Sequence, residues 1–173
     1  VREGGQRLSR LIDNLTVFAG LDAHAMQPAS VDVAQLAGDV REAMAPMLAA
    51  SGGQIDIGPL PVLPADPALL RLVLQHLLGN ALKFVRPGVP PQVRIDATQD
   101  DLFHQIRVCD NGVGIATEQQ HAIFGMFNRL HNRRQYDGTG LGLATCQRVA
   151  DLLQGRDGRL WEARIDRIGG DAT

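Results

Sequence analysis

Three short segments carry residue types at spacings that suit the binding of a polyphosphate. In the first, His76, Asn80 and Lys83 follow one another by four and three positions. On a helix they share one stripe. An asparagine oxygen on that stripe could ligate Mg²⁺, and an ammonium could meet a phosphate. Lys83 is the only lysine among 17 basic residues. The opposite arc (Leu70, Leu74, Leu77, Leu78, Ala81, Phe84) is apolar. Taken alone, the pattern is better explained by an ordinary amphipathic helix with a wet face.

The second segment is Asp110-Asn111-Gly112-Val113-Gly114-Ile115, directly after a strand-like run. Two glycines in three residues let a backbone turn tightly and approach a flat ligand closely. A carboxylate at the end of an apolar strand can accept a hydrogen bond from an exocyclic amine. A plain strand-ending turn accounts for this motif equally well. The third is Asp137-Gly138-Thr139-Gly140-Leu141-Gly142-Leu143-Ala144, leading into a helix. Alternating glycines at a helix start expose successive N–H groups, which with the helix dipole form an anion site. The segment lacks a Walker lysine and the dinucleotide spacing, so Rossmann and P-loop assignments are disfavoured. Between the two glycine segments lie Phe124 and Phe127, read as hinge packing, and a polar stretch with Arg129, Arg133 and Arg134. Such a basic stretch beside a phosphate site reads as a lid or, equally, as a solvated surface loop.

The elements that must position these residues can be read from periodicity. Leu8, Leu11, Ile12, Leu15 and Phe18 place residues 1–20 on a helix whose start is expected upstream of Val1. A loop over residues 20–30 leads to a helix over 33–50, stopped by Gly52-Gly53. Residues 54–57 form a strand candidate, and the prolines of 59–64 break the pattern. Asp66-Pro67 caps a helix running to about residue 85. Residues 93–97 and 103–109 alternate as paired strands. Short helical pieces and a polar loop fill 116–138, a helix covers 141–153, and a last strand candidate surrounds Trp161. Helices interleaved with a strand meander predict a two-layer α/β sandwich.

Composition narrows the functions. A chain of 173 residues that is 45% hydrophobic can bury a core. A net charge of -2 gives no general electrostatic reason to expect nucleic acid as a partner. No apolar run approaches the ~20 residues that span a bilayer, so no membrane contact is expected. Cys109 and Cys146 match neither a disulfide framework nor a zinc spacing. Two buried thiols in a reducing, cytoplasmic setting are expected.

The order of these pieces is similar to the ATP-binding domain shared by sensor histidine kinases, DNA gyrase, heat-shock chaperones and mismatch-repair ATPases. Asn80 with Lys83 comes first, then Asp110, Gly112 and Gly114, then Phe124 with Phe127, then Gly138, Gly140 and Gly142. The resemblance covers roughly residues 31–173. Arg129-Leu130-His131 and Tyr136-Asp137-Gly138-Thr139-Gly140 resemble the sensor kinase branch, bacterial phytochrome-type kinases in particular. Arg10-Leu11-Ile12-Asp13-Asn14-Leu15 resembles the end of a second dimerisation helix. The resemblance implies a Bergerat-type fold, a mixed sheet backed by three helices, over 25–173, preceded by a dimerisation-helix end over 1–24. It implies ATP and Mg²⁺ as cofactors. Asn80 would ligate Mg²⁺ and Lys83 would touch a phosphate. Asp110 would accept from the adenine amine, and Gly112 and Gly114 would admit the base. Gly138, Thr139, Gly140, Leu141 and Gly142 would line the phosphates. The implied partners are a response regulator receiver domain and a second copy of the parent protein.

Two departures qualify the implied activity. Position 76, asparagine in typical kinases and glutamate in the ATPase branch, is His76. A neutral imidazole there is a candidate proton acceptor or metal ligand, though a passive polar residue is the preferred reading. None of His24, His76, His104, His121 and His131 is followed by an acid, as a phosphoacceptor histidine usually is. The acceptor is therefore expected upstream, and the sheet is expected to lack the family's last strand. Two other functions stay in view: a degenerate nucleotide-binding or docking module without kinase activity, and an ATP-hydrolysing module of the gyrase or chaperone type.

Overall fold

The structure, a computed structural model, describes residues 2–99, 104–119, 122–127, 138–157 and 164–167. Helix α1 (Arg2–Gly20) leads, with Leu8, Ile12 and Leu15 turned to solvent. A 3-10 turn, Leu21–Ala23, follows. Leu21 is buried against Leu69, Val149 and Leu153, so the join between α1 and the body of the chain is anchored.

The single helix expected over 33–50 is two, α2 (Val33–Ala43) and α3 (Ala45–Ser51), with the break at Met44. Pro46 stands in the first turn of α3. Proline has no N–H for the preceding turn and its ring crowds the carbonyl four residues back, so the helical ladder restarts there. Strands β1 (Ala29–Asp32) and β3 (Val62–Ala65) pair antiparallel as a two-stranded ribbon, where only a loop and a proline break were expected. A two-stranded ribbon has only edges, and an edge tolerates the missing N–H of Pro64.

The main sheet has strand order β2-β4-β5-β6, with β2 (Gln54–Ile57), β4 (Gln92–Gln99), β5 (His104–Asp110) and β6 (Arg164–Arg167). β4 and β5 are antiparallel, while β2–β4 and β5–β6 are parallel, so the sheet is mixed as expected. Of the strand expected over 159–165 around Trp161, residues 159–163 lie outside the described residues, and 164–165 fall in β6. Alternation sorts the two faces. Ile55, Val93, Ile95 and Val108 are buried. Asp56, Arg94, Asp96 and Arg107 form an ion-pair chain on the other face, with Arg107 Nε 2.8 Å from Asp96. Of the two thiols, Cys146 is buried and Cys109 only half-buried. Burial pushes the Cys146 thiol up to about 12, so it stays protonated.

Helix α4 (Pro67–Lys83) lies against β4 and β5 and between α2 and α5 (Gly142–Asp157). Leu70, Leu74, Leu77, Leu78, Ala81 and Leu82 sink into the core. Each fully buried leucine contributes roughly 1.5–3 kcal/mol, which fixes the helix's rotation and leaves the His76–Lys83 stripe off this core, against the start of α5 and the glycine segment before it. Among the described residues, no helix is long and apolar enough to cross a membrane.

Asp66, 1% exposed, caps α4. One oxygen accepts from the N–H groups of Ala68 and Leu69 at 3.0 and 3.2 Å. The other accepts from Gln27 N–H at 2.9 Å and lies 2.9 Å from His24 Nε2. Burial raises its pKa, but these hydrogen bonds outweigh burial and hold it below the ordinary carboxylate value of 3.8. A depressed carboxylate stabilises the fold above its unfolded pKa, and that contribution disappears as pH falls through the folded value. Asp66→Asn is therefore expected to remove the wild-type advantage above about pH 4, a difference that shrinks as pH falls further below it, read by urea melts across the acid range. A constant difference at every pH would refute the assignment.

Candidate functional site

The site grows from the wet stripe of α4. His76, Asn80 and Lys83 are all half-buried on it. Burial lowers the His76 pKa below 6.5, so the imidazole is neutral at pH 7. Its ring packs on the start of α5: a Cβ added at Gly142 would stand 3.2 Å from His76 Nδ1. The Lys83 ammonium lies beside the glycine segment, where a Cβ at Gly138 would meet Nζ at 2.5 Å. The same ammonium stands 4.6 Å from the centroid of the Phe84 ring. Asn80 sits between the two contacts, its backbone carbonyl accepting the Phe84 N–H at 2.9 Å.

The second segment is tied to the end of the same helix. β5 delivers Asp110, whose Oδ1 accepts the Gly112 N–H at 2.8 Å. Val113 N–H donates to Phe84 O at 3.0 Å. A Cβ at Gly112 would collide with Phe84 O, so the close approach requires glycine. Gly114 has φ 74°, in the left-handed region. Asn111 holds the turn to the start of β4: its Oδ1 accepts from Gln92 N–H at 2.9 Å and its Nδ2 donates to Pro90 O at 3.1 Å. Arg86 Nε donates to Gly112 O at 3.1 Å. Neither Asn111 nor Arg86 was singled out from sequence. Asn111 lies within the 110–115 motif without a spacing that marks this role, and Arg86 carries no local signal.

The third segment opens α5. Gly140 has φ 74°, and its carbonyl accepts the Phe127 N–H at 3.0 Å. Phe127 itself has φ 61° and is 55% exposed, which corrects its reading as hinge packing. The link to the glycine segment is a backbone one. Thr139 Oγ1 accepts from Asn14 Nδ2 of α1 at 3.1 Å. The Leu141 side chain is fully buried, so only its backbone can address a ligand. Asp137, Tyr136 and the three arginines of the polar stretch, Arg129, Arg133 and Arg134, lie outside the described residues.

The three segments, far apart in sequence, converge along one edge of α4. His76 meets Gly142, Lys83 meets Gly138, and Phe84 binds Val113. The C-terminal end of this edge brings the carboxylate of the glycine turn and the Lys83 ammonium close together, and one to two turns back along α4 His76 meets the N-terminus of a 16-residue helix. This suits a ligand with a polar planar end and an anionic end. Among the described residues, no group of three or more His, Cys, Asp and Glu could hold a metal ion. Mg²⁺ asks for less: it keeps several waters and takes one or two protein oxygens together with substrate phosphates. Asn80 offers such an oxygen next to the phosphate end, so the residues present fit it.

A family model described as histidine kinase-, DNA gyrase B- and HSP90-like ATPase matches residues 65–171. The phytochrome-like protein Cph1 of Synechocystis sp. is 31% identical over 158 residues, 91% of this chain and 21% of that protein. The adaptive-response sensory kinase SasA of Synechococcus elongatus is 39% identical over 107 residues, 61% of this chain and 26% of that protein. The chain thus spans about a fifth to a quarter of these relatives' length. Among solved structures, full-length ShkA in complex with AMPPNP superposes with a TM-score of 0.72 at 33% identity, covering 87% of this chain and 32% of that one.

Proposed function

Since the chain belongs to the histidine kinase-, DNA gyrase B- and HSP90-like ATPase family, we propose that it is the catalytic, ATP-binding part of a two-component sensor histidine kinase. The observation that carries this is the convergence of Asp110, Lys83 and the 138–142 glycines on one edge of α4. In this reading residues 25–173 bind nucleotide, and residues 1–24 end a dimerisation helix. The parent protein is a cytoplasmic homodimer whose phosphate passes to a response regulator aspartate.

The chain's own residues mostly position and neutralise. Asp110 accepts from the adenine amine, and the glycine turn lets the base lie against backbone. Lys83 offsets phosphate charge. The backbone N–H groups of Gly138, Thr139, Gly140, Leu141 and Gly142 bind phosphate oxygens, helped by the α5 dipole. Asn80 would hold Mg²⁺, which when bound draws charge from the phosphates. Neutral His76 places an uncharged ring beside Gly142. The acceptor imidazole comes from a helix outside this sequence. Its nitrogen bonds to the γ-phosphorus as the bond to the β–γ bridging oxygen breaks, and ADP leaves.

The test is calorimetric titration of this chain with Mg·ATP, followed by labelled ATP with and without the parent protein's upstream helix. Binding, no self-labelling and transfer to the added helix are expected. No binding at millimolar nucleotide would leave only a docking role. Steady ATP turnover by the isolated chain would favour the gyrase or chaperone type.

Lys83→Ala sharpens the test. Loss of one ammonium–phosphate contact, roughly 1.5–3 kcal/mol, is expected to weaken ATP about 10- to 100-fold while adenosine loses little. Equal losses for both ligands would make Lys83 a structural residue.

A further inference from the structure

One peptide group in the base turn is gripped from both sides by the end of α4. Its carbonyl, on Gly112, accepts from Arg86 Nε at 3.1 Å. Its N–H, on Val113, donates to Phe84 O at 3.0 Å. In a trans peptide these two atoms point in opposite directions, so residues 84 and 86 hold its two opposite edges. Rotating that plane breaks both bonds together. The next amide back, Gly112 N–H, donates to Asp110 Oδ1 at 2.8 Å. Two hydrogen bonds, joined by the Gly112 backbone itself, therefore link the Arg86 guanidinium to the Asp110 carboxylate. Arg86 lies only three residues beyond Lys83, so the segment that sets the phosphate end also sets the base end.

From this geometry we infer that Arg86 is a positioning residue for base recognition: it holds the Gly112–Val113 peptide so that Asp110 faces the adenine edge in register with the phosphate stripe. The inference rests on the nucleotide reading above and deepens it. Arg86 touches neither base nor phosphate in this role. Its removal loosens the aim of Asp110, which affects every adenine ligand alike and erodes discrimination between bases. Loss of a phosphate contact would spare adenosine instead. Lysine can supply one donor from a similar stem, though without the planar guanidinium.

The test compares the wild-type chain with Arg86→Met and Arg86→Lys. Calorimetry with ATP, adenosine and inosine triphosphate is joined by amide exchange at Val113. Methionine keeps the apolar stem and removes the donor. In Arg86→Met, ATP and adenosine are each expected to weaken about tenfold, as for loss of one charge-assisted hydrogen bond. The preference for ATP over inosine triphosphate narrows, and Val113 exchange speeds up. Arg86→Lys recovers most of the affinity and the preference. Three results overturn the inference: unchanged affinities in Arg86→Met, a loss for ATP that spares adenosine, or an unchanged preference between the two triphosphates. If Arg86→Lys unfolds, amide exchange at Val113 in Arg86→Met still decides; if Arg86→Met unfolds, Arg86→Leu replaces it, since slow exchange at Val113 in either donor-free variant contradicts the clamp. A wild-type chain that binds no ATP would instead refute the nucleotide reading, which separates the two failures.

Discussion

Gly112→Ala is expected to abolish measurable ATP binding and to destabilise the chain. The added Cβ would fall on the Phe84 carbonyl oxygen, a backbone atom at the end of a buried helix. That atom cannot swing aside as a side-chain tip can. Relief requires moving the turn off α4, which breaks the Val113 N–H bond to Phe84 O and displaces Asp110. Overpacking of this kind costs about 1–3 kcal/mol, corresponding to a fall of roughly 2–12 °C in Tm for a chain of this size. Gly138→Ala makes the contrast, because its Cβ would face only the movable end of Lys83. A thermal scan should therefore show a clearly larger loss for Gly112→Ala. Equal Tm values for the two variants would mean that the turn does not lie against α4 as described.

Asp110→Asn should change which base is preferred. Oδ1 of Asp110 accepts the Gly112 N–H at 2.8 Å. An asparagine keeps its amide oxygen on that donor, which turns its NH₂ toward the place proposed for the adenine amine. Two donors then face each other. Together with the lost charge-assisted bond, this should weaken ATP about 100-fold. Inosine triphosphate, whose ring carries a carbonyl at that position, should lose far less and could overtake ATP. Competition of the two triphosphates for the variant reads the ratio directly. Parallel losses for both would remove Asp110 from base recognition.

Both predictions concern residues visible in the sequence, yet the reasons behind them differ in origin. The α4 stripe was legible because the helical period fixes which side chains share a face, and six apolar residues on the other arc left only one way to bury the helix. The Asp66 cap, the β4–β5 alternation and the glycine opening of α5 were legible for similar local reasons. The helix break at Met44 could have been read from Pro46, but apolar periodicity continued through it and outweighed the proline. The β1–β3 ribbon was not legible: two four-residue strands separated by 29 residues, one of them containing Pro64, carry little signal until they pair.

Local chemistry thus determined, from sequence alone, which residues could bind charge, turn tightly or cap a helix, because those properties depend on a side chain and its near neighbours. Tertiary structure decided which of them meet. Gly112 reads as a flexible turn until the Phe84 carbonyl is seen over it. Arg86 reads as a surface cation until β5 carries the Gly112 carbonyl to within 3.1 Å of it. His76 is neutral because burial against α5 removes its water, and no stretch of sequence states that. Such contacts join residues brought close by the packing of a sheet and two helices, so they exist only once the core has fixed where each element lies.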